Sequence, residues 1–432
     1  MSTGLDFALP TGWLWSPLKF TTTFVNRGTA PDYVDNGFIR AISQAANQLS
    51  GLDWTRTRFS AHQGNPRRLK GYLLYGDVLV NSTGNGTLGR VGYFTEGPDD
   101  IPCVADGHVT IARADRKVAD PRFMYYWLGS APFYNYIYSA LVVGATNQIE
   151  LNREGLAGAP IALPPLDVQR RIAGFLDAET ARIDGLASAQ RQAKALILER
   201  RAAKAFALVT GADAAEQAPS RLAWASSLPA TWRSVKLGHF ARMGSGHTPS
   251  RSHPEWWEDC TIPWITTGEV SQIRDDRREV LTDTRERISE IGIANSAAEL
   301  HPKDTVVLCR TASAGYSAVM GKDMATSQDF VTWTCGSDLD PYYLLWCLRA
   351  MRADLLGRLA MGSTHKTIYV PDLQALRIPL PPLGEQHEIV AAIRASNAVT
   401  DGAVDVIDRQ AGLLAERRQA LITAAVTGGI TL

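Results

Sequence analysis

Between Trp54 and Gly76 the chain carries no acidic residue, while Arg56, Arg58, Arg67, Arg68 and Lys70 are interleaved with His62, Gln63 and Asn65. The pattern returns between Trp232 and Pro254, where Arg233, Lys236, Arg242 and Arg251 accompany His239, His247 and His253. Cations without counter-charges suit phosphate oxygens, and Arg, Asn, Gln, Ser and Thr side chains can read base edges. A solvated charged face is the ordinary account of any single arginine. The recurrence in both halves favours contact with a polyanion. Glycine-rich loops add further candidates. The loop from Asn81 to Arg90 carries Asn81, Thr83, Asn85 and Arg90, and that from Cys309 to Gly315 carries Arg310, Thr311 and Ser313. Gly144 to Gln148 ends in Asn147 and Gln148, Gly362 to Lys366 ends in His365 and Lys366, and Ser245 and His247 flank Gly246. Such loops can turn backbone N–H groups toward a phosphate, or be plain tight turns.

Catalytic signatures are missing by contrast. There is no GxxxxGK[ST] phosphate loop, and Gly244-Ser245-Gly246 is too short for a dinucleotide fingerprint. His387-Glu388 lacks the second histidine of a metalloprotease helix. Five cysteines, at 103, 260, 309, 335 and 347, form no CxxC pair and read as reduced, mostly buried thiols. The expectation is a chain with no catalytic residue, no metal and no cofactor of its own.

The elements that must position the candidates are legible from a repeat. Ile161 to Gly211 and Ile378 to Gly428 align without a gap, with roughly twenty of about fifty positions identical, a self-similarity to be weighed before any local pattern. Leu163-Pro164-Pro165-Leu166 matches Leu380-Pro381-Pro382-Leu383, Glu199-Arg200-Arg201 matches Glu416-Arg417-Arg418, and Val209-Thr210-Gly211 matches Val426-Thr427-Gly428. A double proline cannot sit inside a helix and so marks a start, and the glycine marks a stop. About 40 residues without proline lie between, enough for about 60 Å of helix. In the second copy Ile393, Thr400, Ile407, Leu414 and Leu421 recur every seven, with Val404, Ala411 and Ala425 between them; the first copy offers Ile172, Leu176, Ile183, Leu186, Ala193 and Ile197. These stripes predict that the two helices pair. Gln169 with Gln386, and Ile389, join them as candidates for the pair or for a partner subunit. Packing of each helix on its own domain is the competing account.

The duplication extends further. Leu9-Pro10-Thr11-Gly12-Trp13 and Leu228-Pro229-Ala230-Thr231-Trp232 open the two halves alike. Asp120-Pro121 and Asp340-Pro341 each read as a capped helix start before an aromatic, apolar face. The boundaries are 1–160 for a first variable domain, 161–211 for a long helix, 212–220 for a linker, 221–377 for a second variable domain and 378–432 for a second long helix. With 432 residues there is room for two full cores, net charge is zero, and no apolar run reaches the length of a membrane span. The start has no basic segment followed by an apolar one, so a cytoplasmic location is expected.

The run from Pro164 to Asp184, with the Glu-Arg-Arg and Val-Thr-Gly blocks, resembles the conserved helical region of type I restriction-modification specificity subunits. The LPxxW openings and the strand and glycine-loop pattern resemble their target-recognition domains. The resemblance covers nearly the whole chain. It implies two tandem α/β (α+β) target-recognition domains, an antiparallel pair of long coiled-coil helices and a pseudo-two-fold internal repeat. It implies double-stranded DNA as ligand, each domain reading half of a bipartite asymmetric target. Two modification subunits would carry S-adenosylmethionine, and restriction subunits would bring ATP and Mg for translocation and cleavage. A type IIB-like or fused system, and a coiled-coil scaffold without DNA affinity, are the alternatives. The second copy departs from the first where Arg394-Ala395-Ser396-Asn397 stands for Asp177-Ala178-Glu179-Thr180.

Overall fold

A computed structural model describes residues 5, 7–48, 51–84, 86–143, 150–361 and 366–431. The chain divides into two units: Met1–Gln190 with Arg409–Leu432, and Arg191–Asp408. Each holds one α/β domain and a part of each of two long helices, Leu166–Thr210 and Leu383–Val426.

In the first unit an antiparallel sheet runs in the order Thr22–Arg27, Val109–Ala114, Val78–Asn81, Val91–Tyr93. A second sheet runs Cys103–Ala105, Ile39–Ile42, Arg58–Ser60, Tyr33–Val34, with its first pair parallel. The second unit repeats the plan. Ala241–Ser245, Phe330–Cys335, Val306–Cys309 and Ser317–Met320 take the same order, and Val280–Leu281 adds an edge. Its smaller sheet is Glu286–Ile288, Ile262–Ile265, Ala325–Thr326, again with a parallel pair. The central strands Val78–Asn81 and Val306–Cys309 are buried throughout, which is why their apolar residues run consecutively rather than alternately.

Both long helices begin immediately after a double proline and end before a glycine in the left-handed region, Gly211 at φ 61° and Gly428 at φ 79°. A Cβ on Gly428 would lie 2.1 Å from Pro10 Cγ, and one on Gly211 2.4 Å from Pro229 Cγ. The LPxxW openings are therefore seats for the helix ends, a link that neither motif reveals alone. Strand Leu14–Pro17 pairs with Pro160–Leu163 just before the first helix, and Arg233–Lys236 pairs with Arg377–Leu380 before the second.

Within the first unit the helices run antiparallel: Arg418 reaches Asp184 at 3.2 Å and Gln190 donates to Gln410 at 2.9 Å. Within the second, Lys194 meets Asp408 at 2.6 Å and Arg201 meets Asp401 at 3.3 Å. On these helices Ile183 and Ala425 are buried and Ala411, Leu414 and Leu421 half-buried in the first unit, while in the second Ile393 and Val404 are buried and Ile197, Thr400 and Ile407 half-buried. The expected first-helix stripe shifts in its middle. Leu186 and Ala193 face outward, and Ala187, Gln190 and Lys194 take the inner positions. Polar partners on the second helix, Gln410 and Asp408, make that register acceptable. The ends of the seam continue into the domain cores: Ile172, Leu176, Ile422 and Val426 in the first unit, and Val209, Ile389 and Ile393 in the second.

Candidate nucleic-acid interface

The first basic run is laid out by the smaller sheet and the turn beyond it. Asn65 accepts from the Arg67 N–H at 3.0 Å, capping the turn Pro66–Arg68 so that Arg67 and Arg68 point outward, with Lys70 also exposed. Arg58 lies over the Tyr33 ring at 4.3 Å. Burial, and then the neighbouring Asp106 carboxylate, push the Tyr33 phenol up to about 12, so it stays a neutral donor to Asp106 at 3.0 Å. Among the described residues no carboxylate forms an ion pair with Arg58, Arg67, Arg68 or Lys70, whereas Arg56 is held by Asp53 at 3.0 Å. Cations left without an ion-pair partner in this way suit an anionic ligand.

The glycine loop of the first unit divides its candidates differently. Asn81 is fully buried; its carboxamide accepts from Asn47 at 3.0 Å and donates to the Gln44 carbonyl at 3.2 Å. It holds the loop rather than presenting a surface. Arg90 donates to the Asn47 carbonyl at 3.2 Å and to Gln48 at 2.9 Å. Thr83 sits 2.7 Å from His108 Nδ1 and donates to Gln44 at 3.2 Å. Gln44 and exposed His108 thus join the loop, although neither stands near it in sequence. Asn85, Asn147 and Gln148 lie outside the described residues, as does His365.

In the second unit Arg242 and Ser245 are exposed on strand Ala241–Ser245. His247 follows, its N–H donating to the Thr326 carbonyl at 3.0 Å. Gly246 is required there, because a Cβ would lie 2.1 Å from that same carbonyl oxygen. Arg251 stacks on Trp257 at 4.0 Å, and His253 stacks on Trp256 at 4.2 Å. Arg310 donates to the Gln328 carbonyl at 3.0 Å, while Thr248 donates to the Gln328 side chain at 2.6 Å. Gln328, absent from the sequence candidates, therefore ties the 245–248 segment to the loop after Val306–Cys309. On that loop Thr311 donates to Asp329 at 2.6 Å and Ser313 accepts from Arg274 at 3.4 Å. Lys366 is exposed, 3.4 Å from the Leu356 carbonyl, beside the bridge between Thr311 and Thr367. The first unit has the matching bridge between Thr83 and Glu150. Both units thus converge the same two loops, with different polar side chains on them.

Gln169 and Gln386 are fully buried and do the same work twice. Gln169 accepts from the Asp120 N–H at 2.8 Å and donates to the carbonyls of Val118 and Pro164 at 3.1 and 2.8 Å. Gln386 accepts from the Asp340 N–H at 2.8 Å and donates to the carbonyls of Asp338 and Pro381 at 2.9 and 3.0 Å. Each clasps the start of a long helix to the cap of the helix that its own domain contributes, Pro121–Leu128 or Pro341–Ala350. Among the described residues there is no cluster of three or more metal-ligating side chains.

The family described as "Type I restriction modification DNA specificity domain" matches residues 229–400. The MjaIX type I restriction enzyme specificity subunit of Methanocaldococcus jannaschii is 25% identical over 168 residues, which are 38% of this chain and 38% of that protein. The putative MjaX specificity subunit of the same organism is 22% identical over 378 residues, 83% of this chain and 79% of that protein. The chain thus aligns with well under half of the first relative's length and with most of the second's. A chain solved for the complex assembly and conformational transition of the type I R-M system has the same fold, at TM-score 0.71 and 20% identity over 98% of this chain and 100% of that one.

Proposed function

We propose that the chain is a type I restriction-modification specificity subunit and that it selects the DNA on which a methylation and restriction complex acts. The observation that carries this reading is the repeated module: two domains with one strand plan, each converging the same pair of loops with different polar side chains on them. A fold repeated with its polar surface changed suits two readers of two different half-sites. The first domain corresponds to residues 1–160 and the second to 221–377, joined to the helices 161–211 and 378–432, with 212–220 between them.

The protein contributes recognition and no chemistry. In the first domain Arg58, Arg67, Arg68 and Lys70 neutralise phosphates, and the Thr83, Gln44 and His108 cluster faces base edges. In the second, Arg242, Ser245, His247, Arg251 and the Arg310 to Ser313 loop take the same roles. The helices bind two modification subunits that carry S-adenosylmethionine, and restriction subunits bring ATP and Mg. No described helix is long and apolar enough to cross a membrane, and the complex works in the cytoplasm. Co-expression with the neighbouring modification subunit, a gel shift and methylome sequencing test the proposal. A bipartite methylated motif that disappears with this chain supports it. A modification subunit that binds and methylates the same motif alone would sink it.

A further inference from the structure

One position of the repeated helices is used with opposite charge in the two units. Asp177 and Arg394 occupy equivalent places in the aligned copies. In the first unit the domain brings the cation. Arg122 donates through Nε to Asp177 at 2.9 Å and pairs with it again through Nη2; the Tyr126 hydroxyl donates to the same oxygen at 2.6 Å. In the second unit the domain brings the anion. Arg394 donates to Glu279 through Nε at 2.9 Å and through Nη2 at 2.6 Å, and Trp346 Nε1 holds the other oxygen of Glu279 at 3.0 Å. The surrounding side chains follow the exchange. Arg122 lies 4.5 Å over Tyr93 in the first unit, while in the second Arg394 lies 4.5 Å over Tyr342, the residue at the place of Arg122. Tyr126 and Trp346 are equivalent and serve the carboxylate in both.

The glutamine clasp is the same in both units and so cannot tell one domain from the other. We propose that residue 177 or 394 is a key that matches each recognition domain to its own helix. Asp177 accepts a domain that brings a cation, and Arg394 accepts one that brings an anion. A first domain folded onto the second helix would set Arg122 against Arg394, and leave Tyr126 without its carboxylate. Like charges in contact oppose such a docking, and the mismatch would discriminate rather than merely weaken. The partner surface of each helix start is therefore its own domain, and the key fixes which domain occupies which half of the chain. The inference concerns docking and does not depend on DNA being the ligand.

Charge-reversal cycles in the full-length chain test it. Asp177→Arg, Arg122→Glu and the double variant form one cycle; Arg394→Glu, Glu279→Arg and their double form the other. Each single variant should lower the melting temperature by about 2–6 °C, and each double should regain at least half of the summed loss, since contacting residues couple. Hydrogen exchange should place the first loss in Pro121–Leu128 and the second in Pro341–Ala350. Purely additive losses in both cycles would overturn the key. A chimera adds a positive test: residues 14–163 replace 233–380, with Arg394 kept or changed by Arg394→Asp. The Arg394→Asp chimera should melt at the higher temperature, and equal melting would count against the key. If neither chimera folds, the cycles alone decide.

Discussion

Gln169 and Gln386 each satisfy three backbone groups from one buried carboxamide. Replacing either by leucine leaves those groups without partners in the core, at a cost of about 1–3 kcal/mol. Denaturant unfolding of Gln386→Leu should show this loss. His301 offers a pH dependence. It is buried at 1% exposure, and burial, the leading cause, holds its imidazole below the ordinary histidine value. Glu299 opposes that shift and Arg242 adds to it. The unfolded chain therefore takes up a proton as the pH falls through about 6.5 while the folded one does not, so stability is present above that value and lost below it. Stability measured from pH 7.5 to 5 should fall less steeply in His301→Gln than in the natural protein. A steeper fall would place the sensitivity elsewhere. At the surface, Arg67→Gln, Arg68→Gln and Lys70→Gln together test the DNA reading. If all three contact phosphates, the salt dependence of binding should lose about 2–3 units of slope, because each contact contributes about 0.9. An unchanged slope would move the phosphate contacts to another face.

The helix pair depends on its apolar ends more than on its polar middle. Lys194 and Asp408 form an ion pair with side chains 35% and 53% exposed, and such pairs contribute about 0–1 kcal/mol. Leu176 is fully buried in the first core, and truncating a buried leucine costs about 2–5 kcal/mol. Leu176→Ala should therefore destabilise the first unit several times more than Lys194→Ala destabilises the second. Comparable losses would mean that the seam, rather than the domain core, anchors the first helix. Within each unit a polar pair fixes the register of the two helices, Gln190 with Gln410 in the first and Lys194 with Asp408 in the second.

At the scale of the whole molecule, two copies of one plan predict modular recognition. Exchanging residues 1–155 for those of a relative with another target should change one half of the methylated motif and leave the other. Methylome sequencing reads both halves at once. A change in both halves, or persistence of the old site, would mean that the domains do not read independently. The exchange should succeed most readily when the incoming domain carries a cation at the place of Arg122, since Asp177 stays behind on the helix.

The repeat alone determined the existence, length and ends of both long helices, because proline and left-handed glycine act locally and need no tertiary partner to stop a helix. The capped helices at Asp120-Pro121 and Asp340-Pro341 were legible for the same reason. The basic runs were visible as composition, and Arg67, Arg68 and Lys70 are exposed as expected. Tertiary structure decided what distance in the chain conceals. Asn81 stands in a glycine-rich, loop-like run, yet the sheet buries it, while Gln44 and His108 reach the same loop from remote segments. The outward turn of Leu186 and Ala193 came from the partner helix, whose Gln410 and Asp408 reward a polar register that apolar periodicity does not anticipate. The exchange of Asp177 for Arg394 stands in the alignment only as a departure of the second copy from the first. Only the domains packed against the helices, one bringing Arg122 and the other Glu279, make it a matched pair of opposite charges.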